Sequence, residues 1–148
     1  MFKADIINRM EACGAMAIVR TESIERGKEI ARGCLQGGID VMEISYTLPN
    51  AGEVITALNH AFGADMLVGA GTVLDAETCR IAILAGAKFV IAPNFSKEVA
   101  RMCNRYQIPY APGCTTITEM IEALEVGASY IKAFPISNFY GPQLAKII

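Results

Sequence analysis

The chain has 148 residues, of which 53% are hydrophobic and 19% charged, and its formal net charge is −2. This length suits a single domain with a sizeable core, and the absence of a basic cluster argues against a nucleic-acid partner. No apolar run approaches the roughly 18 residues of a membrane span, and residues 1–5 do not open a signal peptide, so we expect no membrane association.

The cysteines and the histidine give little support to a metal site. Five cysteines are scattered along the chain without a C-x-x-C pair, at Cys13, Cys34, Cys79, Cys103 and Cys114. An odd and scattered set is typical of reduced thiols in a cytoplasmic protein, and we predict that localisation. The single histidine, His60, falls in a predicted helix and is interpreted as a surface residue. We therefore predict neither a histidine-based metal site nor a catalytic triad.

Short apolar segments alternate with helical ones along the whole chain. The apolar runs predict six strands, at 15–20, 41–45, 66–70, 89–92, 110–111 and 130–134. Runs that are apolar throughout, without alternation, are typical of parallel strands covered on both faces. A further helix is predicted before the first strand, at 4–13.

Helices are predicted between the strands, each after a residue whose side chain can cap a helix. They cover 24–36, 51–62, 76–85, 97–106 and 117–126, after Ser23, Asn50, Asp75, Ser96 and Thr116. Most of these helices end near a glycine, which suits the left-handed conformation that terminates a helix. At one junction Gln107 stands where the others have glycine. The spacing of roughly 20 to 26 residues is about one βα unit.

Repeated βα units fit either an open doubly wound sheet or part of a (β/α)₈ barrel. Residues 69–74 resemble the start of a dinucleotide fingerprint, but Leu74 stands where the third glycine is required, and we reject a nucleotide site. In both architectures, ligands bind at the carboxyl ends of the strands. The polar residues there are Arg20, Glu43, Ser45, Thr47, Thr72, Asn94, Thr115, Thr116 and Lys132.

Lys132 lies within residues 130–135, which we interpret as a short buried strand. A charge taken out of water costs several kcal/mol or more, so the ammonium needs a carboxylate or a lowered pKa. A neutral amine in an apolar pocket is the nucleophile that forms Schiff bases with carbonyl substrates. On this stretch alone, a lysine that reaches solvent from a strand end is an equal alternative.

Glu43 is a second charged residue in an apolar strand. Two buried charges of opposite sign in different parallel strands suggest a pair. A buried ion pair often adds no stability over apolar residues, so a catalytic role is favoured over a structural one. Imine chemistry needs both groups, because Lys132 would form the adduct and Glu43 would move the protons.

Five ordered segments carry a family resemblance: VMEIS (41–45), VGAGTVL (68–74), IAP (91–93), PGCTTITE (112–119) and IKAFP (131–135). They resemble the bacterial KDPG/KHG aldolases, which cleave 2-keto-3-deoxy-6-phosphogluconate or 4-hydroxy-2-oxoglutarate to pyruvate and an aldehyde. The resemblance implies a class I aldolase on a TIM (β/α)₈-type barrel, usually a homotrimer. Its partner would be a small 2-keto acid substrate, and no metal or other cofactor is expected because an iminium replaces the Lewis acid.

The resemblance also implies roles for individual residues. Lys132 would be the Schiff-base lysine and Glu43 the general acid and base, while Pro93 and Phe134 would line the pocket. Lysine has a reference pKa of about 10.4, which must fall by roughly two to three units for reaction near neutrality.

The substrate carboxylate would be held by Thr72 and Arg20. Many family members carry an arginine four residues after the catalytic glutamate, where this chain has Thr47. The segment from 43 to 49 resembles a subgroup in which the arginine ending the first strand takes over, so Arg20 gains importance. Thr47 is kept among the predicted substrate-binding residues.

The family barrel has eight strands, whereas six are predicted here. We therefore interpret residues 1–148 as one incomplete barrel domain, whose sixth barrel helix begins within 141–148. Six strands leave two edges, so the chain by itself is expected to be marginally stable, to associate and to act weakly on phosphorylated substrate. Two alternatives stay open: a phosphate-handling barrel isomerase or epimerase, with Glu43 as base and Lys132 as an anion contact, or an inactive aldolase fragment.

Overall fold

A computed structural model describes residues 1–136, 141 and 143. The helices are α1 (Lys3–Cys13), α2 (Ile24–Gln36), α3 (Ala51–Phe62), α4 (Ala76–Leu84), α5 (Lys97–Arg105) and α6 (Ile117–Glu125). The strands are β1 (Ala17–Val19), β2 (Val41–Ser45), β3 (Leu67–Gly71), β4 (Val90–Ile91), β5 (Tyr110–Ala111), β6 (Gly113–Cys114) and β7 (Lys132–Ala133). The predicted start of a helix within 141–148 lies outside the described residues, apart from 141 and 143.

The strands are parallel and lie side by side in chain order. One sheet has the order β1-β2-β3-β4-β5, and β6 pairs with β7. β5 and β6 are halves of one barrel strand, interrupted at Pro112, which has no N–H but accepts a hydrogen bond from the Lys132 backbone at 2.9 Å. Consecutive parallel strands linked by helices are the layout of a TIM-type barrel, which confirms the predicted fold class.

The sheet is covered by apolar side chains on both faces, as its unbroken apolar strands predict. On the outer face, Met42, Ile44 and Val68 belong to a large core that the helices complete. On the inner face, Val41 and Phe89 belong to a second core. Alternate residues of β2 therefore serve different cores, which places Glu43 on the inner face with Val41.

α1 closes the inner face at the ends where the strands begin. Its Ile6 packs into the inner core with Val41. Arg9 of the same helix donates to a carboxylate oxygen of Asp40 at 2.7 Å and to the carbonyl oxygens of Ala64 and Asp65. These partners precede β2 and β3, so α1 is anchored at the amino-terminal ends and the carboxyl-terminal ends stay open to a ligand.

The helix ends follow the predicted glycine pattern, including its exception. Gly63, Gly86 and Gly127 have φ values of 54°, 98° and 87°. Gln107, at the one junction without glycine, also has a positive φ, of 56°. A residue with a Cβ occupies the left-handed region at a cost of roughly 1–2 kcal/mol, which the packing around this helix end must offset.

Replacing Gln107 with glycine is expected to raise the free energy of unfolding by about 0.5–1 kcal/mol, because glycine tolerates the positive φ. The side-chain bond that is lost, from Gln107 to the Asn104 carbonyl at 2.8 Å, is exposed and contributes little. Urea unfolding measures the change. Gly127→Gln is the reciprocal control and should destabilise the protein, whereas a less stable Gln107→Gly variant contradicts the left-handed assignment.

The predicted side-chain cap at Asn50 is wrong. The other predicted caps accept a hydrogen bond from a backbone N–H in the first turn, at Ser23, Asp75, Ser96 and Thr116. Asn50 instead uses its side-chain amide to donate to the Glu22 carbonyl at 2.6 Å. The contact ties the start of α3 to the loop that follows β1, so a tertiary partner replaces the local one.

The cysteines and the histidine occupy the kinds of position that the sequence indicates. All five cysteines are free, and the Cys79 and Cys103 sulfurs are 3.6 Å apart, well beyond the roughly 2.05 Å of a disulfide bond. His60 is exposed. Within the described residues, no group of three or more His, Cys, Asp or Glu side chains is arranged to hold a metal ion. The helices described are also too short or too polar to cross a membrane.

Candidate active site

The two charged residues singled out from the sequence line one cavity. This cavity has a volume of about 280 Å³ and contains Glu43 from β2 and Lys132 from β7 in its wall. The rest of the wall is almost wholly apolar, formed by Met10, Met16, Ile18, Ile91, Ala111, Tyr130 and Ile131. A carboxyl and an amine facing a small apolar space are the pair of groups that imine chemistry requires.

A larger cavity, of about 630 Å³, lies at the other end of the strands, beside α1. Its wall includes Lys3 at the start of α1, Lys88 before β4 and Gln107 before β5. It contains neither Glu43 nor Lys132. Since barrel enzymes bind ligands at the carboxyl ends of the strands, the smaller cavity is the better candidate.

Glu43 is only 2% exposed, and its Oε2 has no hydrogen-bond partner among the described residues. Burial raises the pKa of its carboxyl, because the charged form loses hydration; the positive charges of Lys132 and Arg20 oppose this rise in the pKa only in part. A carboxyl whose pKa is raised keeps its proton closer to neutral pH and is suited to act as a general acid.

Gly71 leaves the room that the Glu43 carboxyl occupies. A Cβ added at Gly71 would lie 1.5 Å from Glu43 Oε1 and 2.1 Å from its Cδ. Glu43 is paired in register with Gly69, and Gly71 is one step further along the same face of β3. Any side chain at position 71 would therefore displace the carboxyl.

Lys132 is less buried than the sequence predicts. Lys132 is half-buried and Phe134 is 43% exposed, so the prediction of a buried strand is wrong for these two residues. Among the described strands, β7 pairs with β6 alone. The Lys132 Nζ lies 4.8 Å from the centroid of the Phe134 ring. This contact is a cation–π interaction when the amine is charged.

The predicted Glu43–Lys132 ion pair is also absent from the described part of the chain. No nitrogen–oxygen distance between the two side chains is within the 4.0 Å of a salt bridge. Both residues instead contribute to the wall of one cavity. Space between an acid and an amine is what a substrate carbonyl needs, since a direct ion pair would occupy both groups.

Three hydroxyl groups form a chain at the carboxyl ends of β2 and β3. Ser45 Oγ lies 2.9 Å from Thr72 Oγ1 and 3.2 Å from Thr47 Oγ1. Ser45 is 1% exposed and lies on the same face of β2 as Glu43, two residues further along. Thr72 has φ 58°, a strained conformation for a β-branched residue. Such strain is concentrated at functional sites.

The remaining predicted residues also follow strand ends. Arg20 comes directly after β1 and is exposed, and its positive charge partly opposes the rise in the pKa of Glu43. Pro93 follows β4, and a Cβ at Gly113 would lie 2.1 Å from the Pro93 carbonyl oxygen. The structure thus gathers the predicted residues at one end of the sheet, while their individual roles remain predictions.

Three residues of the site were given no role from the sequence, although Ser45 stood among the polar residues expected at the strand ends. Gly71 makes room for Glu43, Ser45 links the two threonines, and Tyr130 both lines the cavity and donates to the Ile7 carbonyl at 3.1 Å. The signal for Gly71 was available, because a glycine inside an apolar strand often marks a close approach.

Comparison with known proteins agrees with this geometry. The family model described as KDPG and KHG aldolase matches residues 6–148. A 2-dehydro-3-deoxy-phosphogluconate aldolase from Treponema pallidum is 38% identical, over 97% of this chain and 68% of the relative. A 2-dehydro-3-deoxy-6-phosphogalactonate aldolase from Escherichia coli is 35% identical, over 90% of this chain and 64% of the relative. The chain thus spans about two thirds of the length of these relatives.

Solved structures give the same result. The aldolase of Zymomonas mobilis with 3-phosphoglycerate superposes with a TM-score of 0.88 at 28% identity, over 98% of this chain and 68% of that one. The KDPG aldolase of Legionella pneumophila, with pyruvate captured at low pH as a covalent carbinolamine intermediate, superposes with a TM-score of 0.82 at 29% identity, over 89% and 64%. On the match of its sequence to the family model and to these relatives, and on its TIM-type fold, the chain belongs to the KDPG and KHG aldolase family.

Proposed function

We propose that this chain carries the catalytic lysine and the catalytic carboxyl of a class I aldolase. The reaction would cleave a 2-keto-3-deoxy-6-phospho sugar acid, or 4-hydroxy-2-oxoglutarate, to pyruvate and an aldehyde. The observation that supports this most strongly is the shared cavity, whose wall contains both Glu43 and Lys132 without an ion pair between them. The covalent carbinolamine of the Legionella pneumophila relative supports a lysine–pyruvate adduct here as well.

Lys132 is proposed as the nucleophile. Its neutral amine attacks C2 of the keto acid, and a C–N bond forms as the carbonyl oxygen becomes the hydroxyl of a carbinolamine. Loss of that hydroxyl as water gives the iminium. The cavity that Lys132 lines is almost wholly apolar, and the ring of Phe134 lies 4.8 Å from Nζ.

Glu43 is proposed to move the protons. As an acid it protonates the departing hydroxyl of the carbinolamine, and as the resulting carboxylate it removes the proton of the C4 hydroxyl. The C3–C4 bond then breaks, its electron pair forms an enamine with the iminium, and the aldehyde departs. Return of the proton to C3 restores an iminium, which water hydrolyses to pyruvate and free Lys132. The raised pKa of Glu43 suits the acid step, which comes first.

The remaining groups are proposed to hold the substrate. Thr72 and Arg20 would bind the carboxylate, with Thr47 close by, while Pro93 and Phe134 would line the pocket. Family membership does not favour an isomerase or epimerase. The working form would be a cytoplasmic homotrimer that needs neither a metal ion nor another cofactor.

Borohydride trapping tests the nucleophile. Incubation of the complete protein with pyruvate and borohydride is expected to add one reduced pyruvyl group, which peptide mass spectrometry should locate on Lys132. Lys132→Met should abolish the label. Lys88→Met is the matched control, because Lys88 also borders a strand but lies at the opposite end, and its label should equal that of the wild type.

The trapping experiment has clear opposing outcomes. Label that persists in Lys132→Met, or that maps to another lysine, rules out Lys132 as the Schiff-base residue. A wild-type protein that takes up no label at all excludes imine chemistry for the chain. Unchanged circular dichroism spectra are needed to show that each variant is folded.

A further inference from the structure

Ser45 carries a buried hydroxyl that has no role in the proposed chemistry. It is 1% exposed, lies two residues beyond Glu43 on the same face of β2, and contacts two other hydroxyls. The contact to Thr72 Oγ1 is 2.9 Å and the contact to Thr47 Oγ1 is 3.2 Å. A buried hydroxyl between two partners usually orients one of them.

The hydrogen bonds among the three hydroxyls have a preferred donor-to-acceptor direction when an anion is bound at one end. A hydroxyl has one hydrogen to donate and can accept at the same time. If Thr72 donates its hydrogen to a substrate carboxylate, its oxygen is free to accept from Ser45, and Ser45 can in turn accept from Thr47. All three hydrogens then point towards the anion, and bonds aligned in this way strengthen one another.

The backbone of Thr72 supports this assignment. Thr72 follows β3 directly and holds φ 58°, so its hydroxyl is presented from a conformation that a β-branched residue rarely adopts. Two contacts hold this turn against the end of β2. One is the contact between the Ser45 and Thr72 hydroxyls, and the other is the hydrogen bond that the Tyr46 backbone N–H donates to the Gly71 carbonyl, at 2.8 Å. β2 therefore controls both the position and the hydrogen-bond polarity of Thr72.

We infer that Ser45 is a positioning residue for the substrate carboxylate, acting through Thr72 as the middle of a Thr47–Ser45–Thr72 hydroxyl relay. The inference rests on the proposed function, because it requires a 2-keto acid bound at Lys132. It assigns Thr47 a specific task at the outer end of the relay, where it polarises Ser45 without touching the substrate. The recognised chemical group is the carboxylate next to the reacting carbonyl.

The rate of cyanoborohydride trapping, followed against pyruvate concentration, tests the relay. Ser45→Ala is expected to raise the half-saturating pyruvate concentration about fivefold, the effect of losing one neutral hydrogen bond, while the rate at saturation stays within about twofold. Ser45→Thr, which keeps the hydroxyl, should restore binding. Thr47→Ala should have a smaller effect, about twofold, because it removes only the outer hydroxyl.

Two controls separate this role from a merely structural one. Ser129→Ala removes a buried hydroxyl that has no hydrogen-bond partner among the described residues, and it should leave both kinetic constants unchanged. Pyruvamide, which carries an amide in place of the carboxylate, should be trapped by Ser45→Ala within about twofold of the wild-type rate, because the relay acts on the anion.

Each outcome decides the matter. Three results for Ser45→Ala would overturn the relay while leaving Lys132 as the nucleophile. These are an equal loss of trapping with pyruvate and pyruvamide, a loss confined to the rate at saturation, or no change in either kinetic constant. If Ser45→Ala does not fold, an unchanged half-saturating concentration in Thr47→Ala overturns it equally. A wild-type protein that is not labelled by pyruvate removes the proposed function and the relay together.

Discussion

Glu43→Gln is expected to slow proton exchange at the methyl group of pyruvate by about a hundred- to ten-thousand-fold, the usual contribution of a general acid–base group. Exchange of these protons with deuterium oxide requires an enamine, and hence both an imine at Lys132 and a base beside C3. Gln keeps the shape of the side chain but cannot take up the proton. Proton NMR of pyruvate in deuterium oxide measures the rate, and it needs no phosphorylated substrate.

The same substitution should change how stability depends on pH. Burial raises the pKa of Glu43 in the folded state above its ordinary value of 4.5, so the protonated form is favoured in the folded protein. The resulting stabilisation is complete below about pH 4.5 and is lost as the pH rises through the higher folded-state pKa. Above that range, the wild type must bury a charged carboxylate with an unpaired oxygen, which Gln avoids.

Thermal unfolding at several pH values therefore provides a second reading of Glu43. Glu43→Gln is expected to be more stable than the wild type at pH 8, by on the order of 1–3 kcal/mol, and to lose this advantage towards pH 4.5. Glu53→Gln, an exposed change in the first turn of α3, is the control: it should leave exchange unchanged and lower stability by less than about 1 kcal/mol, through loss of the favourable helix-dipole interaction. An advantage that is equal at all pH values contradicts a raised pKa at Glu43, and an unchanged exchange rate contradicts its catalytic role.

Gly71→Ala is expected to reduce the same exchange rate by about a hundredfold with little loss of stability. The added Cβ would stand 1.5 Å from Glu43 Oε1, and the carboxyl is the movable end of a side chain bordering a cavity, so it can shift instead of forcing the strand apart. Displacement of a catalytic group by about 1 Å commonly costs about a hundredfold in rate. Exchange by NMR and urea unfolding, measured on the same preparation, test this separation of activity from stability.

Gly69→Ala is the matched control, on the same strand and the same face. Its Cβ would lie 2.3 Å from the Phe89 ring, which is 1% exposed and cannot move into open space. Overpacking of this kind typically lowers stability by about 1–3 kcal/mol. We therefore expect Gly69→Ala to lose more stability than Gly71→Ala and to retain more activity. The reverse order would show that Gly71 is a packing residue and that Glu43 does not depend on it.

The sequence by itself determined the features that depend on neighbours along the chain. Continuous apolar runs identify the parallel strands, and the capping residues and glycines bound the helices within a few positions. The same local logic identifies Glu43 and Lys132, because a charge inside an apolar run is conspicuous whatever the tertiary arrangement. The sequence pattern also identifies Gln107 as the residue that occupies a glycine position at a helix end, and the φ of Gln107, 56°, confirms that interpretation.

Only the tertiary structure decided how these elements meet. Whether Lys132 is buried depends on what pairs with β7: among the described strands its partner is β6, and Lys132 is half-buried. The space for the Glu43 carboxyl depends on the register between β2 and β3, which sets Gly71 beneath it. The bond between Ser45 and Thr72 spans 27 positions and likewise follows from that register. Residue patterns record short-range preferences, whereas strand register is set by packing across the whole sheet, so the cavity and the contacts among the three hydroxyls form only when the strands align.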